Sequence, residues 1–577
     1  MKKYTKKDFI YIGIFIILIY VFVLTIYLNG YVFGSKIDWA NQHTIIPDYF
    51  RKIFYSSGKL VPSLAINLGM GQNIFYFSYY GLLSPIVLIS YILPFISMTT
   101  YIQIASILSL LISTIMFYNW IKSKYNSNIA FIVSLIFMLN GTFSYHFHRH
   151  IMFVIYMPFL IGALKSIDYY LKDNKPIPYI LYIILLILTS YYFSVHSIIA
   201  IGLYTIYKLL TNKTFKTIKL FNIILYTIIG ILITGILLIP TFNALTNGRI
   251  PTLTNTISLA DLISPKTNYD YTFYNSYYSW GLTFIYIVSI IYGFISHKKH
   301  NIFLSSIFTL IILFPFCSYL LNALMYIDGK CFIPFLPLAL LLVSEFIDNN
   351  LKQKINYRKL LRYTTIISLP LILLAINKDN IYLLISDIIL MIITIFISSK
   401  KKNKYYLYIP TIIISLITFV ISNTNETYLK QSELNKINNS AYYELSNFKD
   451  DENLYRISTP DNAIDTPNKI YNFNNLTTTM YSSLANTRYF NFYRNIFQNE
   501  IINRDNTTIT QTNNLLFNIY SATKYLITEN SVPLGYQEIK TINNLTLYKN
   551  NDIIPLAYAT NKIMSKRGSC FQSSGKI

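Results

Sequence analysis

Asp38 lies just beyond the first long apolar run of the sequence, with Gln42 and His43 close behind it. A carboxylate just beyond a membrane span can act as a general base on an incoming hydroxyl, although a loop aspartate is more often simply solvated. Further on, Asp48, Arg51 and Lys52 have the spacing of one helical turn, which suits an exposed ion pair on an amphipathic helix. Asp38 is thus the first choice for a base and Asp48 the reserve. The stretch Asn67-Leu-Gly69-Met-Gly71-Gln72-Asn73 permits a tight turn or close backbone approach to a ligand, but it lacks the rest of a phosphate-binding fingerprint.

A second cluster is His146-Phe-His148-Arg149-His150. On a continuing helix His146, Arg149 and His150 share a face and can hold an anionic phosphate by charge-assisted hydrogen bonds, with interfacial anchoring as the plain alternative. Two histidines four apart also fit zinc, yet no acidic or cysteine partner is near in sequence, so no metal ligands are assigned. A divalent cation at Asp38 stays open, although a lone aspartate beside Asn41 and Gln42 makes a poor cation cage. Lys330, in Asp328-Gly329-Lys330, is a single cation entering an apolar run, suited to neutralising a lipid phosphate or to snorkelling. Tyr191, Tyr192 and His196 supply further polar rings, the tyrosines as candidate substrate contacts.

These residues need elements to hold them, and composition says which. The chain has 577 residues, 53% hydrophobic and only 13% charged, so lipid rather than water is its main solvent. Apolar runs recur from Phe9 to Ile421, and their number and length predict about thirteen transmembrane helices. They cover approximately 9–29, 101–121, 128–145, 152–168, 178–193, 196–210, 221–240, 281–296, 302–320, 332–347, 360–376, 380–398 and 405–421. The net charge of +23 does not point to nucleic acid, because the lysines collect in alternate short gaps. Lys2–Lys7, Lys122 and Lys124, Lys165–Lys175, Lys208–Lys219, Lys298 and Lys299, Lys352–Arg362 and Lys400–Lys404 mark the cytoplasmic side. Tyr79–Phe95, broken by Pro85 and Pro94, then has to lie along the outer interface, since a crossing there would invert every later gap. The N-terminus is cytoplasmic on this scheme, and residues 1–422 form the membrane domain with an outer loop at 30–100. Residues 423–577 change to Asn, Thr, Ser and Tyr, with strand-like runs at Leu454–Ser458, Lys524–Thr528 and Leu545–Tyr548, and are expected to form an extracellular α/β or mostly β domain. The three cysteines imply no disulfide framework.

In order along the chain, Phe33-Gly-Ser-Lys-Ile-Asp-Trp with Gln42-His43, Phe77-Ser-Tyr-Tyr-Gly-Leu-Leu-Ser-Pro85, His148-Arg-His150 with Tyr156-Met-Pro-Phe159, Gly329-Lys330 with Ile333-Pro-Phe-Leu-Pro337, and Pro533-Leu-Gly-Tyr536 with Pro555-Leu-Ala-Tyr558 resemble the YfhO family of bacterial multispanning membrane proteins, within the GT-C class of membrane glycosyltransferases. The resemblance implies transfer of a sugar outside the cell from a polyprenyl-phosphate carrier, such as undecaprenyl phosphate, to an envelope polymer, commonly lipoteichoic acid in Gram-positive bacteria. It implies two membrane-lying helices in the first outer loop and a catalytic acid just after the first span, the position of Asp38. His148, Arg149, His150 and Lys330 would hold the donor phosphate, with Gln42, His43, Tyr191 and Tyr192 at the substrate. Family members continue further and end in another span, so the segment after Met564-Ser-Lys-Arg567 is expected to mark a truncated outer domain. The reaction expected is inverting, with no nucleotide-binding fingerprint and hence a lipid-linked donor. A lipid-linked sugar flippase or transporter and a non-catalytic envelope scaffold are the rival readings; the first calls for polar groups at mid-membrane, where Asp387 is the main candidate.

Overall fold

The structure is a computed structural model, and it describes residues 4–211, 217–249, 257–274, 278–400, 408–424, 428–448, 454–459, 467–499, 508–529, 531–557, 562–564 and 570–572. The basic run after Lys400 and the last five residues lie outside these. Two compact units are formed, Met1–Pro47 with Ser78–Phe242 and Pro251–Gln431, and Asp48–Phe77 with Asn243–Ile250 and Ser432–Ile577.

The first unit is helical. Every apolar interval read as a span holds a helix, from Lys6–Leu28 and Met98–Lys122 through to Ile381–Lys400 and Tyr408–Thr424. Among the described residues six helical segments are long and apolar enough to cross a bilayer, or up to eight if each sharply bent pair counts as one span. Shorter apolar helices such as Ser127–Met138, Phe284–Ile295 and Lys299–Leu313 make up the rest. Large apolar side chains face outward along them, among them Phe9, Ile17, Leu232, Ile239 and Leu369, as a lipid solvent allows. The shared core is aromatic and aliphatic, with Trp120, Tyr118, Phe137, Tyr204, Trp280 and Leu340 fully or almost fully buried.

Helix ends in this unit are tied by buried or half-buried carboxyl groups. Asp8 closes a capping box with Thr5 at the start of the first helix and takes Lys122 Nζ at 2.7 Å from the end of Met98–Lys122. Asp168 receives Lys124, Lys208 at 2.9 Å and the Tyr204 hydroxyl at 2.7 Å. Asp387 accepts from the Phe284 amide at 2.7 Å and the Tyr274 hydroxyl at 3.0 Å, so it caps the start of a neighbouring helix.

The segment read as one interfacial helix over Tyr79–Phe95 is instead two short pieces, Ile74–Tyr80 and Pro85–Ile92, bent by 93°. Gly81, at φ +92°, makes the break: a Cβ there would fall 2.7 Å from Val87. Pro85 then starts the second piece, where its missing amide costs nothing.

In the second unit a four-stranded sheet runs Arg456–Ser458, Thr523–Thr528, Leu545–Lys549, Gln537–Ile542, its first pair parallel and the others antiparallel. Helix Ser440–Ser446 covers one face through Ala441, Tyr442 and Leu445 against Ile457, Tyr525, Ile527 and Leu547. The stretch carrying Gly69 and Gly71 belongs to this unit and serves as a docking edge. The Gly69 amide donates to Thr479 O and the Met70 amide to Thr477 O, each at 3.0 Å. Asn67 Nδ2 donates to Phe473 O and Asn475 O at 2.8 Å, and Gln72 Oε1 takes the Asn486 amide at 2.9 Å.

Candidate active site

Asp38 is reached by a short, constrained path. After the first helix the chain turns at Gly30 into the strand Tyr31–Ser35, which pairs antiparallel with Tyr428–Lys430, a few residues beyond the helix Tyr408–Thr424. Trp39 folds back over Gly34, where a Cβ would lie 2.6 Å from the indole. Asp38 itself sits at φ 63°, ψ −42°, with the Trp39 amide donating to Ile37 O at 2.7 Å. This is the rarer, strained hand of γ-turn, and such conformations hold only where the surroundings over-determine them.

A π-helical turn, Trp39–His43, follows, with the His43 amide donating to Asp38 O at 3.0 Å. The wide turn brings Gln42 under the carboxylate: its Nε2 donates to Asp38 Oδ1 at 2.5 Å, and its Oε1 accepts from the Tyr80 hydroxyl. The other oxygen, Oδ2, is 2.8 Å from His150 Nε2. Asp38 keeps 15% of its side chain exposed while His150 has 5%, so the carboxylate is the accessible end of the pair.

His150 comes from a segment held as firmly. Asn140 caps helix Gly141–His146 by accepting from the Thr142 amide at 3.0 Å, while its Nδ2 donates to Gly281 O at 2.9 Å. Gly281, at φ +68°, leaves no room for a side chain against that cap. The His150 amide returns to His146 O at 2.7 Å, which sets the two rings at a tilt of 57° with Nδ1 to Nδ1 at 2.9 Å. Arg149, expected on the same face, instead donates to the Tyr145 hydroxyl and lies 4.8 Å over its ring. His148 turns to Tyr428, 4.4 Å between ring centres, and so braces the strand pair that leads to Asp38.

Lys330 sits over three tyrosines, 4.6 Å from the ring centre of Tyr278, 4.8 Å from Tyr326 and 5.7 Å from Tyr192, with Asp328 Oδ2 at 3.6 Å. Cation–π contacts of this kind are worth about 0.5–2 kcal/mol each. Gly329 is needed for the approach, since a Cβ there would lie 2.9 Å from the Tyr278 carbonyl. The aromatic wall runs from Lys330 to Asp38. Tyr79 lies 6.3 Å from Tyr191, 6.4 Å from Tyr192 and 6.4 Å from His43, while Tyr278 lies 5.9 Å from His150.

Burial works to raise the Asp38 carboxyl, but the His150 hydrogen bond and the charges of His150, His43 and Arg149 outweigh it and hold it at about 2. His43 is pushed down to about 3 by burial and by His150, against the pull of Asp38. His150 is lowered by burial too. The site is therefore an ionised carboxylate among imidazoles that burial pushes toward the neutral form, with Lys330 close by and the charge of Arg149 felt from its place on Tyr145.

Of the residues singled out in the sequence, Asp38, Gln42, His43, His150, Tyr191, Tyr192 and Lys330 share this neighbourhood. Asp48 belongs to the second unit and is ion-paired with Lys52 at 2.8 Å and Arg51 at 3.3 Å. Among the described residues no group of three or more metal-binding side chains occurs. Tyr79 and Tyr80, quoted in the sequence only as part of a resembling segment, and Tyr278 and Tyr326 were not assigned to the site: with 53 tyrosines in the chain, residue type selects none of them.

Two solved structures share the fold. ArnT from Cupriavidus metallidurans in the apo state is 10% identical, over 93% of this chain and 98% of that one, at a TM-score of 0.50. The same protein bound to undecaprenyl phosphate gives 10% identity, 94% and 99% coverage and a TM-score of 0.50. No curated protein matches the chain in sequence. The model of the bacterial membrane protein YfhO family matches residues 9–570, nearly the whole sequence. With its many apolar helices and a fold like that of ArnT, this multi-pass membrane protein belongs to the YfhO family.

Proposed function

We propose that the chain is an inverting glycosyltransferase that moves a sugar from a polyprenyl-phosphate donor to an envelope polymer such as lipoteichoic acid on the outer face of the membrane. Asp38 takes the proton of the acceptor hydroxyl as its oxygen attacks the anomeric carbon, and polyprenyl phosphate leaves. Lys330 and Arg149, with His148 as a further candidate, offset the charge gathering on the phosphate, where preorganised cations stabilise the transition state more than the ground state. Gln42, His43, Tyr191 and Tyr192 line the sugar. The chain crosses the bilayer about thirteen times, with the N-terminus inside and residues 423–577 outside.

The observation that carries this reading is the strained turn at Asp38, which presents a partly exposed carboxylate already fixed by two buried neighbours. Binding of undecaprenyl phosphate by a structure of the same fold supports the lipid carrier. A transport pathway is less well supported, because Asp387 is engaged by a helix start and a tyrosine. Deletion of the gene should remove one sugar substituent from the envelope polymers, and the wild-type chain, but not Asp38→Asn, should restore it. An unchanged polymer profile in the deletion strain would end the transferase reading.

A further inference from the structure

Behind the exposed edge of Asp38 two rings stand in line, His150 with Nε2 at 2.8 Å from Asp38 Oδ2 and His146 with Nδ1 at 2.9 Å from His150 Nδ1. His150 is 4% exposed and His146 not at all. A carboxylate can only accept, and each nitrogen of a neutral imidazole is either a donor or an acceptor. In its neutral form, which burial favours, His150 carries its proton on Nε2 to meet Asp38, and this makes its Nδ1 an acceptor. His146 must in turn carry its proton on Nδ1, the less common form of the ring. Its Nε2 is left as a bare lone pair, and that atom has no hydrogen-bond partner among the described residues. The ring is held in place by stacking 4.0 Å from Phe153 and 5.7 Å from Tyr278.

We propose that His146, which the reaction does not touch, is a positioning residue: its Nδ1–H fixes His150 in the Nε2–H form, and this keeps the Asp38 carboxylate oriented and ionised toward the acceptor. The inference rests on the transferase reading for its purpose but not for its geometry. In the transfer step the acceptor O–H bond breaks, its proton passes to Asp38, the new glycosidic bond forms and the phosphate leaves with the electrons of the old one. Both histidines donate throughout and exchange no proton. Charged or titratable neighbours bear on the whole row, His43 and Arg149 on Asp38, Arg149 and Lys330 on His150, and Arg149, His148 and Lys330 on His146. Without the His146 donor, His150 can carry its proton on Nδ1 and turn a lone pair toward Asp38, which disfavours the ionised carboxylate.

The test uses the full chain in lipid nanodiscs. His146→Phe keeps a ring in the stack and removes the donor, whereas His146→Asn restores a donor near the place of Nδ1. Nitrogen-15 histidine spectra of the wild type should show His146 protonated on Nδ1 and His150 on Nε2. The carbon-13 titration of the Asp38 carboxyl should move up by about one unit or more in His146→Phe and return in His146→Asn. Transfer from a polyprenyl-phosphate hexose should fall on the order of tenfold in the first variant and recover in the second. A wild-type His146 protonated on Nε2, or an Asp38 titration unmoved in His146→Phe, would overturn the proposal. Correct spectra and titrations without any transfer in the wild type would uphold the row of histidines and count against the transferase reading instead.

Discussion

At Asp38 two opposing requirements meet. A base should be easy to protonate, yet this carboxyl is held at about 2 by the donors around it. What it gains is certainty of charge and direction, and the strained turn, which costs on the order of 1–3 kcal/mol, is kept by those same contacts. The sign of the pH dependence follows. A depressed carboxyl is ionised at every pH above its own titration and its contribution to stability is lost only as pH falls through the range between about 4 and about 2. Transfer should therefore stay level as pH drops from about 7 to about 5. A pH profile with a midpoint near 6 would show that another group takes the proton. Lys330 gives a second expectation: Lys330→Gln should raise the apparent KM for the lipid donor roughly tenfold or more and slow turnover as well, because ground-state and transition-state charge are both touched. An unchanged KM and kcat would remove Lys330 from the phosphate. The sequence exposed Asp38, His43 and His150 because such groups are rare beside apolar runs. Of the tyrosine wall it exposed Tyr191 and Tyr192 but not Tyr278 or Tyr326, because tyrosine is everywhere in this chain.

The elements were legible where lipid dictates them. Long apolar runs such as Phe9–Asn29 and Tyr101–Ile121 became the helices Lys6–Leu28 and Met98–Lys122. Contacts between distant segments were not legible, since nothing local in Tyr428–Lys430 announces a strand partner at Tyr31–Ser35, nor in Gly69 and Gly71 a docking edge for Thr477–Thr479. The bend at Gly81 was missed because Pro85 drew attention to itself, while the positive φ arises from packing. Buried ions at helix ends were also invisible, because a lysine in a basic gap reads as solvated until its partner is known. That last point has a measurable consequence. Asp8→Ala would leave Lys122 buried beside the hydroxyl of Tyr118 with its carboxylate gone, a loss of about 3–5 kcal/mol. Membrane-inserted protein should drop sharply and Asp8→Ala with Lys122→Met should recover much of it; equal abundance of the single variant and wild type would show that the pair is not stabilising.

For the whole molecule, the proposed topology rests on the alternation of lysine-rich and lysine-poor gaps. Lysines of the basic gaps are drawn into ion pairs such as Lys298 with Glu345 at 2.6 Å, so these gaps also act as fasteners. In a cysteine-free background, Asn73→Cys should react with a membrane-impermeant thiol reagent on intact cells, while Lys298→Cys should react only after permeabilisation. The reverse pattern would invert the chain and move Asp38 to the inner face. The central claim is that Asp38 is the base of a sugar transfer from a polyprenyl phosphate, and its most direct test is the rate of polyprenyl phosphate release from a labelled polyprenyl-phosphate sugar in proteoliposomes holding an envelope-polymer acceptor. Asp38→Asn, which keeps the size and the tolerance of positive φ but cannot take the proton, should lower that rate about 10²- to 10⁴-fold at unchanged protein abundance. A wild-type rate in Asp38→Asn would contradict the account.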